Sequence, residues 1–107
     1  MTTEMADTYR DFVVDQLSPL ANRLDCRRMF GGYGLYLDSS FFGILVRGRL
    51  YFKTDDGSRG GYEARGMKSF RPNPRQTLKN YFEVPVDVVE DGGELVRWAR
   101  RAARAKS

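Results

Sequence analysis

The sequence predicts an α+β fold, in which an antiparallel sheet of about five strands is flanked by an N-terminal and a C-terminal helix. Apolar residues recur at three- and four-residue steps near both ends of the chain, which is typical of amphipathic helices. In the middle of the chain they alternate with polar residues and glycine, which is typical of strands. We expect one domain over residues 1–107, because a chain of this length fits a single hydrophobic core.

The first predicted element is a helix whose apolar stripe recurs from Met5 to Leu24. Pro19 has no backbone N–H, so we expect it to end or bend this helix near Ser18.

The segment from Arg27 to Thr54 is predicted to form a meander of about three or four antiparallel strands. Leu35 and Leu37 share one face of a strand, and Tyr36 points to the other face. The pair Ser39-Ser40 is expected to close a two-residue hairpin.

The next part of the chain contains a loop and a short helix that ends at Gly66. Pro72 and Pro74 then indicate a connecting loop, and residues Leu78 to Val84 form one more predicted strand.

The last helix has the clearest start signal. Asp91 and Glu94 have the spacing of a capping box, and an apolar stripe that includes Leu95 and Trp98 follows them. The apolar side chains that we assign to the core are Phe12, Leu17, Leu35, Leu37, Ile44, Val46, Phe52, Phe82, Leu95 and Trp98.

Three glycines, Gly31, Gly32 and Gly34, precede and enter one of the strands. A phosphate-binding loop needs a helix after its glycines, or a lysine followed by a hydroxyl residue, and neither is present. The interpretation that we favour is architectural: the first two allow a turn, and Gly34 leaves room for an aromatic ring or a close backbone.

The composition argues against catalysis. The chain has no histidine and one cysteine, Cys26, so it offers neither an imidazole base nor a cysteine-rich metal site. We therefore predict no catalytic residues, no cofactor and no metal. A lone cysteine, an acidic N-terminus and the lack of a membrane-length apolar stretch together predict a cytoplasmic protein without membrane association.

The basic surplus points to a binding surface. The net charge is +4, and residues 26–82 hold eleven basic and four acidic side chains. Aromatic rings beside cations can contact either a protein or a nucleic acid. The candidate partner-binding residues are Tyr36, Arg47, Arg49, Tyr51 and Lys53. We expect, however, that a helix covers the tyrosines, and that the arginines of the last helix form a solvated face.

Five short blocks occur in a characteristic order: MFGGYGLY at 29–36, LYFK at 50–53, YEARGM at 62–67, YFEVP at 81–85 and ELVRWARRA at 94–102. Together they resemble the N-terminal domain of the TfoX/Sxy family, from about Tyr9 to Ala105. Where the family tends to place a glycine after the hairpin aspartate, this chain has Ser39-Ser40, and the stretch at 69–79 matches loosely.

The resemblance implies a TfoX N-terminal-domain-like fold and a bacterial, non-enzymatic regulator of competence for DNA uptake. It also implies a protein partner, such as the transcription machinery or the cyclic-AMP receptor protein. A homodimer is a further possibility, and the alternative function is a nucleic-acid-binding module that uses the basic, tyrosine-bearing sheet face.

Overall fold

The computed structural model describes residues 2–29 and 31–106, with side chains from Thr8 onward. None of the helices in these ranges combines the length and hydrophobicity that a bilayer crossing requires. An antiparallel sheet of six strands lies against helices, which confirms the α+β prediction. The elements are α1 (Thr2–Gln16), a 3-10 turn (Ser18–Leu20), β1 (Leu24–Met29), β2 (Gly32–Leu37), β3 (Ser40–Val46), β4 (Arg49–Lys53), α2 (Asp56–Glu63), β5 (Ser69–Asn73), β6 (Gln76–Glu83), α3 (Val86–Val89) and α4 (Gly92–Ala103).

The strands lie in the order β1-β2-β3-β4-β6-β5, one more than the five predicted. The additional strand is β5, so the connecting loop predicted around Pro72 and Pro74 is wrong in part. Pro72 lies within β5, which is an edge strand, and an edge strand tolerates a missing N–H on its open side. Pro74 lies in the turn between β5 and β6.

The hairpin between β2 and β3 turns one residue earlier than expected. Leu37 pairs with Ser40, so Asp38 and Ser39 form the two-residue turn, and the prediction of Ser39-Ser40 is wrong. Both turn residues have positive φ, 50° and 69°, which is the backbone of a type I′ turn. Ser39 thus adopts the conformation that glycine favours.

Helix α1 ends at Gln16, and Pro19 lies in the 3-10 turn that follows, which confirms the predicted break. Val13 and Leu17 are fully buried, one helical turn apart. Phe12 is 43% exposed, so its assignment to the core is wrong. It lies about 100° around the helix from Val13 and therefore off the buried stripe. Met5 lies outside the described side chains.

Both predicted helix-end signals on α2 and α4 are confirmed. The Gly66 N–H donates to the Glu63 carbonyl oxygen at 2.9 Å, with φ of +74° at Gly66, as in a glycine-terminated helix. The Asp91 carboxylate accepts from the Glu94 N–H at 3.1 Å and so caps α4.

The apolar side chains form two layers, one on each face of the sheet. The larger cluster packs α1, α2, α3 and α4 against one face. The smaller cluster contains only strand residues among those described, with Ile44, Val46 and Phe70 at its centre. The expectation that a helix covers the tyrosines is therefore wrong, because every described helix buries its apolar stripe in the larger cluster. The assigned core residues other than Phe12 are buried, except Trp98, which is partly exposed.

The glycine cluster bends the chain and lets two strands approach. Gly31 has φ of +74°, which few other residues adopt. A Cβ added to Gly32 would collide with the Leu45 carbonyl oxygen. At Gly34 it would lie 2.6 Å from Met29 Sδ and 3.0 Å from Phe41 Cε1. These contacts agree with the architectural interpretation of the cluster.

Replacing Gly32 by alanine is expected to lower the free energy of unfolding by at least about 2 kcal/mol, because backbone atoms of β3 would have to move. The matched control is Gly60→Ala in α2, where nothing lies within 4 Å of an added Cβ. It should raise the free energy of unfolding by up to about 1 kcal/mol. Urea unfolding followed by circular dichroism measures both. Equal effects of the two substitutions would contradict the close approach at Gly32.

Candidate functional site

The sheet face opposite the helices carries a row of rings that we call the aromatic face: Tyr36, Phe41, Tyr51, Phe70 and Tyr81. The Phe41 ring lies 5.1 Å from Tyr36 and 5.5 Å from Tyr81, between ring centroids. Tyr51 packs on Phe70 at 4.7 Å. Except for Phe70, these rings are partly exposed, so they line the sheet and also face solvent.

The strand pattern explains why the rings meet. Side chains along a strand point alternately to the two faces of the sheet. Tyr36 of β2 and Tyr51 of β4 both point to the face that holds the buried Ile44. A register shift between Leu35 and Tyr36 sends Phe42 to the helix side and leaves Phe41 beside Tyr36. Strict alternation with Ile44 would have placed Phe42 on the aromatic face, so the irregularity exchanges Phe42 for Phe41 there.

The arginines of this face are paired with carboxylates. Arg27 Nε lies 2.8 Å from Asp25 Oδ2, and the same guanidinium lies 4.7 Å above the centroid of the Tyr36 ring. Arg49 donates to Glu83 Oε1 at 3.1 Å. The aromatic face therefore consists of apolar rings and tyrosine hydroxyls, and two of its arginines are neutralised by carboxylates.

The structure brings three of the five candidate residues together on the aromatic face: Tyr36, Arg49 and Tyr51. Arg47 lies in the turn between β3 and β4 with φ of 54°, close enough to Tyr51 to act on its phenol. Lys53, the last residue of β4, lies two positions after Tyr51 and pairs with Tyr81, and it also lines a groove between α2 and α4 at the end of the strand.

Two phenols of the face, Tyr51 and Tyr81, have raised pKa values. Burial, and then the neighbouring Tyr36, raise the pKa of Tyr81 to about 12. Burial and the Glu83 carboxylate raise the pKa of Tyr51 above its ordinary value. Both hydroxyls can therefore donate a hydrogen bond to a partner at neutral pH.

Sequence reasoning missed Phe41, Phe70 and Arg27 as members of this face. Phe70 belongs to β5, where the sequence predicts a loop, and Phe41 owes its direction to the register shift. Arg27 was identifiable, because it lies opposite Gly34 in the ladder and next to Tyr36 on a diagonal.

A second polar contact fixes the helices to each other. Asp55, the N-cap of α2, accepts hydrogen bonds from Arg101 of α4 at 3.1 and 2.7 Å. The pKa of the Asp55 carboxyl lies well below its ordinary value of 3.8, first because of the hydrogen bonds from Arg101 and then because of backbone N–H groups at Lys106 and Ser58.

Cys26 is half-buried against the larger cluster, and burial raises the pKa of its thiol. Within residues 8–29 and 31–106, no three His, Cys, Asp or Glu side chains form a group that could hold a metal ion.

A family model described as the TfoX N-terminal domain matches residues 15–106. This chain belongs to the TfoX N-terminal domain family. The match includes every strand of the aromatic face as well as Asp55 and Arg101, so both sites lie within the TfoX N-terminal domain.

Two relatives show how far the similarity extends. A protein of Spirochaeta aurantia, named as an uncharacterized 12.7 kDa protein in the trpE 5′ region, is 37% identical over 98 residues, which is 92% of this chain and 80% of that protein. DNA transformation protein TfoX1 of Aliivibrio fischeri is 33% identical over 64 residues, which is 58% of this chain and 31% of that protein. This chain is therefore similar to only a part of TfoX1.

The Asp55 contact predicts a pH dependence. Because the pKa of Asp55 is lower in the folded than in the unfolded chain, its stabilisation is complete above about pH 4 and is lost as the pH falls further. Asp55→Asn should lower the melting temperature at pH 7 and make it less dependent on pH between about 5 and 2. The matched control is Asp56→Asn, at a side chain that is 99% exposed. If both variants keep the wild-type pH dependence, the contact does not contribute as described.

Proposed function

We propose that this chain is a non-enzymatic regulatory domain that acts by docking a protein partner on the aromatic face. The observation that supports the proposal is the helix-free face itself, where partly exposed rings surround the buried Ile44 and Val46. Tyrosine is enriched at protein interfaces because it combines a rigid apolar ring with a hydroxyl donor. A partner that covers this face gains apolar contacts with the rings and can still form hydrogen bonds with the hydroxyls.

The charge pattern favours a protein over a nucleic acid. Phosphates bind cations that lack a carboxylate partner, whereas Arg27 and Arg49 already pair with Asp25 and Glu83. Base stacking also needs an open ring face. The Tyr36 ring already has a guanidinium above one face and Phe41 beside it, so a base can stack only on the other face.

Nucleic-acid binding remains the second candidate function, and one observation favours it. Arg47 is exposed at the tip of the β3–β4 turn, and no hydrogen bond or ion pair of its side chain occurs in the described part of the chain. A phosphate can bind there next to Tyr51. Such binding would weaken steeply with salt, whereas an aromatic protein interface would not.

The biological role that we propose follows from family membership. The Aliivibrio fischeri relative is named a DNA transformation protein, and the family resemblance suggests the cyclic-AMP receptor protein or the transcription machinery as partner. We propose a competence-related regulatory role of this kind, in the cytoplasm, for the present chain. Self-association through the aromatic face is the other outcome that the surface allows.

The test measures binding of the purified chain to the cyclic-AMP receptor protein and RNA polymerase of the same organism by biolayer interferometry. Tyr36→Ser and Tyr51→Ser should each weaken binding at least about tenfold, because an aromatic anchor at an interface contributes about 1.4 kcal/mol or more. The matched control is Phe12→Ser, which removes an exposed ring from α1 on the helix side. It should leave the affinity unchanged.

Two further measurements test the alternatives: sedimentation equilibrium for self-association, and binding of the chain to mixed-sequence DNA. A dimer that both tyrosine variants dissociate would identify a second copy as the partner. Salt-sensitive DNA binding that needs Arg47 would support the second candidate function instead. A monomer that binds neither proteins nor DNA would refute the proposal, and so would loss of partner binding in Phe12→Ser alone.

A further inference from the structure

A groove with a volume of about 440 Å³ lies between α2 and α4, on the side of the sheet that the helices occupy. Small-molecule sites span about 300–1,000 Å³, so a compact ligand fits this volume. Two contacts hold the walls in place. Arg101 bridges to Asp55, and Tyr62 packs edge-on against Trp98 at 4.8 Å between centroids. The walls of the groove are therefore fixed before any ligand arrives.

Two glycines of α2 help to shape the same groove. A Cβ added to Gly57 would lie 3.0 Å from the Arg101 guanidinium, so glycine lets that arginine reach Asp55. Gly61 lines the groove, and nothing lies within 4 Å of the Cβ it lacks. The groove is thus open over α2.

The charge of the groove is strongly positive. Two of its cations have a carboxylate partner: Arg101 pairs with Asp55, and Arg97 pairs with Glu94 at 2.6 Å. Among the described residues no side-chain hydrogen bond or ion pair occurs at the remaining three, which are Lys53, Arg100 and Arg104. No acidic residue lines the groove in the described part of the chain.

The helix dipole accounts for only part of this pattern. Cations in the last turn of a helix interact favourably with its carbonyl end, which suits Arg100 and Arg104. It does not explain why Lys53, from the end of β4, joins them at the same cavity. Nor does it explain why the cavity also has two aromatic walls, Tyr62 and Trp98.

We propose that the groove between α2 and α4 binds a small phosphorylated organic molecule with a flat ring, of the size of a mononucleotide. Arginine forks match phosphate oxygens in geometry, and a lysine adds a compact charge. The phosphate would lie among Lys53, Arg100 and Arg104, and the ring would pack against the aromatic wall. A compact ligand is favoured over a polynucleotide because the cations converge on one cavity. The site is separate from the aromatic face.

The chain provides its own reporter, because Trp98 is its single tryptophan and lines the groove. We would titrate the full chain with AMP and follow Trp98 fluorescence. A saturable change with a Kd below about 1 mM is expected. Adenosine, which lacks the phosphate, should give no saturable change. Inorganic phosphate should compete with AMP, with a higher Kd than that of AMP.

Two variants separate the groove from general electrostatics. Arg100→Gln with Arg104→Gln should weaken AMP binding at least tenfold. The charge-matched control, Lys68→Gln with Arg75→Gln, removes two cations that do not line the groove and should retain the wild-type Kd. Gly61→Leu keeps every charge and places a side chain in the groove, so it should also weaken AMP binding. Its circular dichroism spectrum and melting temperature show whether the fold is intact.

Three results would overturn the proposal. One is a lack of any saturable Trp98 response to AMP, pyrophosphate or inorganic phosphate up to about 10 mM. Another is AMP binding that the arginine pair and Gly61→Leu leave unchanged. The third is much tighter and more salt-sensitive binding of a single-stranded oligonucleotide of about 20 residues, lost in the same variants, which would assign the groove to nucleic acid. None of these results depends on the aromatic face.

Discussion

The Asp55 carboxylate is the polar contact on which the pairing of α2 with α4, and so the groove between them, depends. It accepts from the Gly57 and Ser58 N–H groups at the start of α2, from the Arg101 guanidinium of α4, and from the Lys106 N–H beyond α4. An ionised carboxylate has about four acceptor sites, so this one is fully used. One side chain thereby begins α2 and holds the C-terminal end of α4 against it. The larger apolar cluster packs the four helices as one layer on one face of the sheet, and this one-sided layer leaves the aromatic face open.

A sheet with an uncovered apolar face risks aggregation, and this chain limits that risk by its choice of residues. The buried positions of the open face are Ile44, Val46 and Phe70, whereas the tyrosines Tyr36, Tyr51 and Tyr81 are partly exposed. Their hydroxyls stay hydrated while their rings shield the aliphatic layer. Ion pairs such as Arg27–Asp25 flank the rings. The result is a surface that can remain in water alone and still be covered by a partner, which is the compromise that a reversible protein contact requires.

The sequence predicted those features of the fold that are encoded by residues close together in the chain. The alternation around Leu35, the break at Pro19 and the cap at Asp91 are local patterns, and each is confirmed. The errors concern features that depend on the tertiary arrangement. Nothing in the alternation of β2 and β3 states that no helix covers the tyrosine side, because the choice of face depends on where every helix buries its stripe. The register shift that turns Phe41 toward Tyr36 is equally invisible, since a bulge is defined by the partner strand. For the same reason the groove could not be predicted: its cations come from segments that only folding brings together.

Charge compensation separates the two surfaces more clearly than aromatic content does. Both place arginine beside aromatic rings. On the aromatic face, however, Arg49 has Glu83 at 3.1 Å, so a partner that excludes water there buries a neutral pair. In the groove, Arg100 and Arg104 have no such carboxylate among the described residues, and excluding water from them without an anion would be costly. A neutral protein surface can therefore cover the first site and not the second, whereas a phosphate compensates the second and gains little at the first. Because the sheet lies between them, Arg100 and Arg104 can be altered without removing a residue of the aromatic face, and Tyr36 and Tyr51 can be altered without removing a residue of the groove.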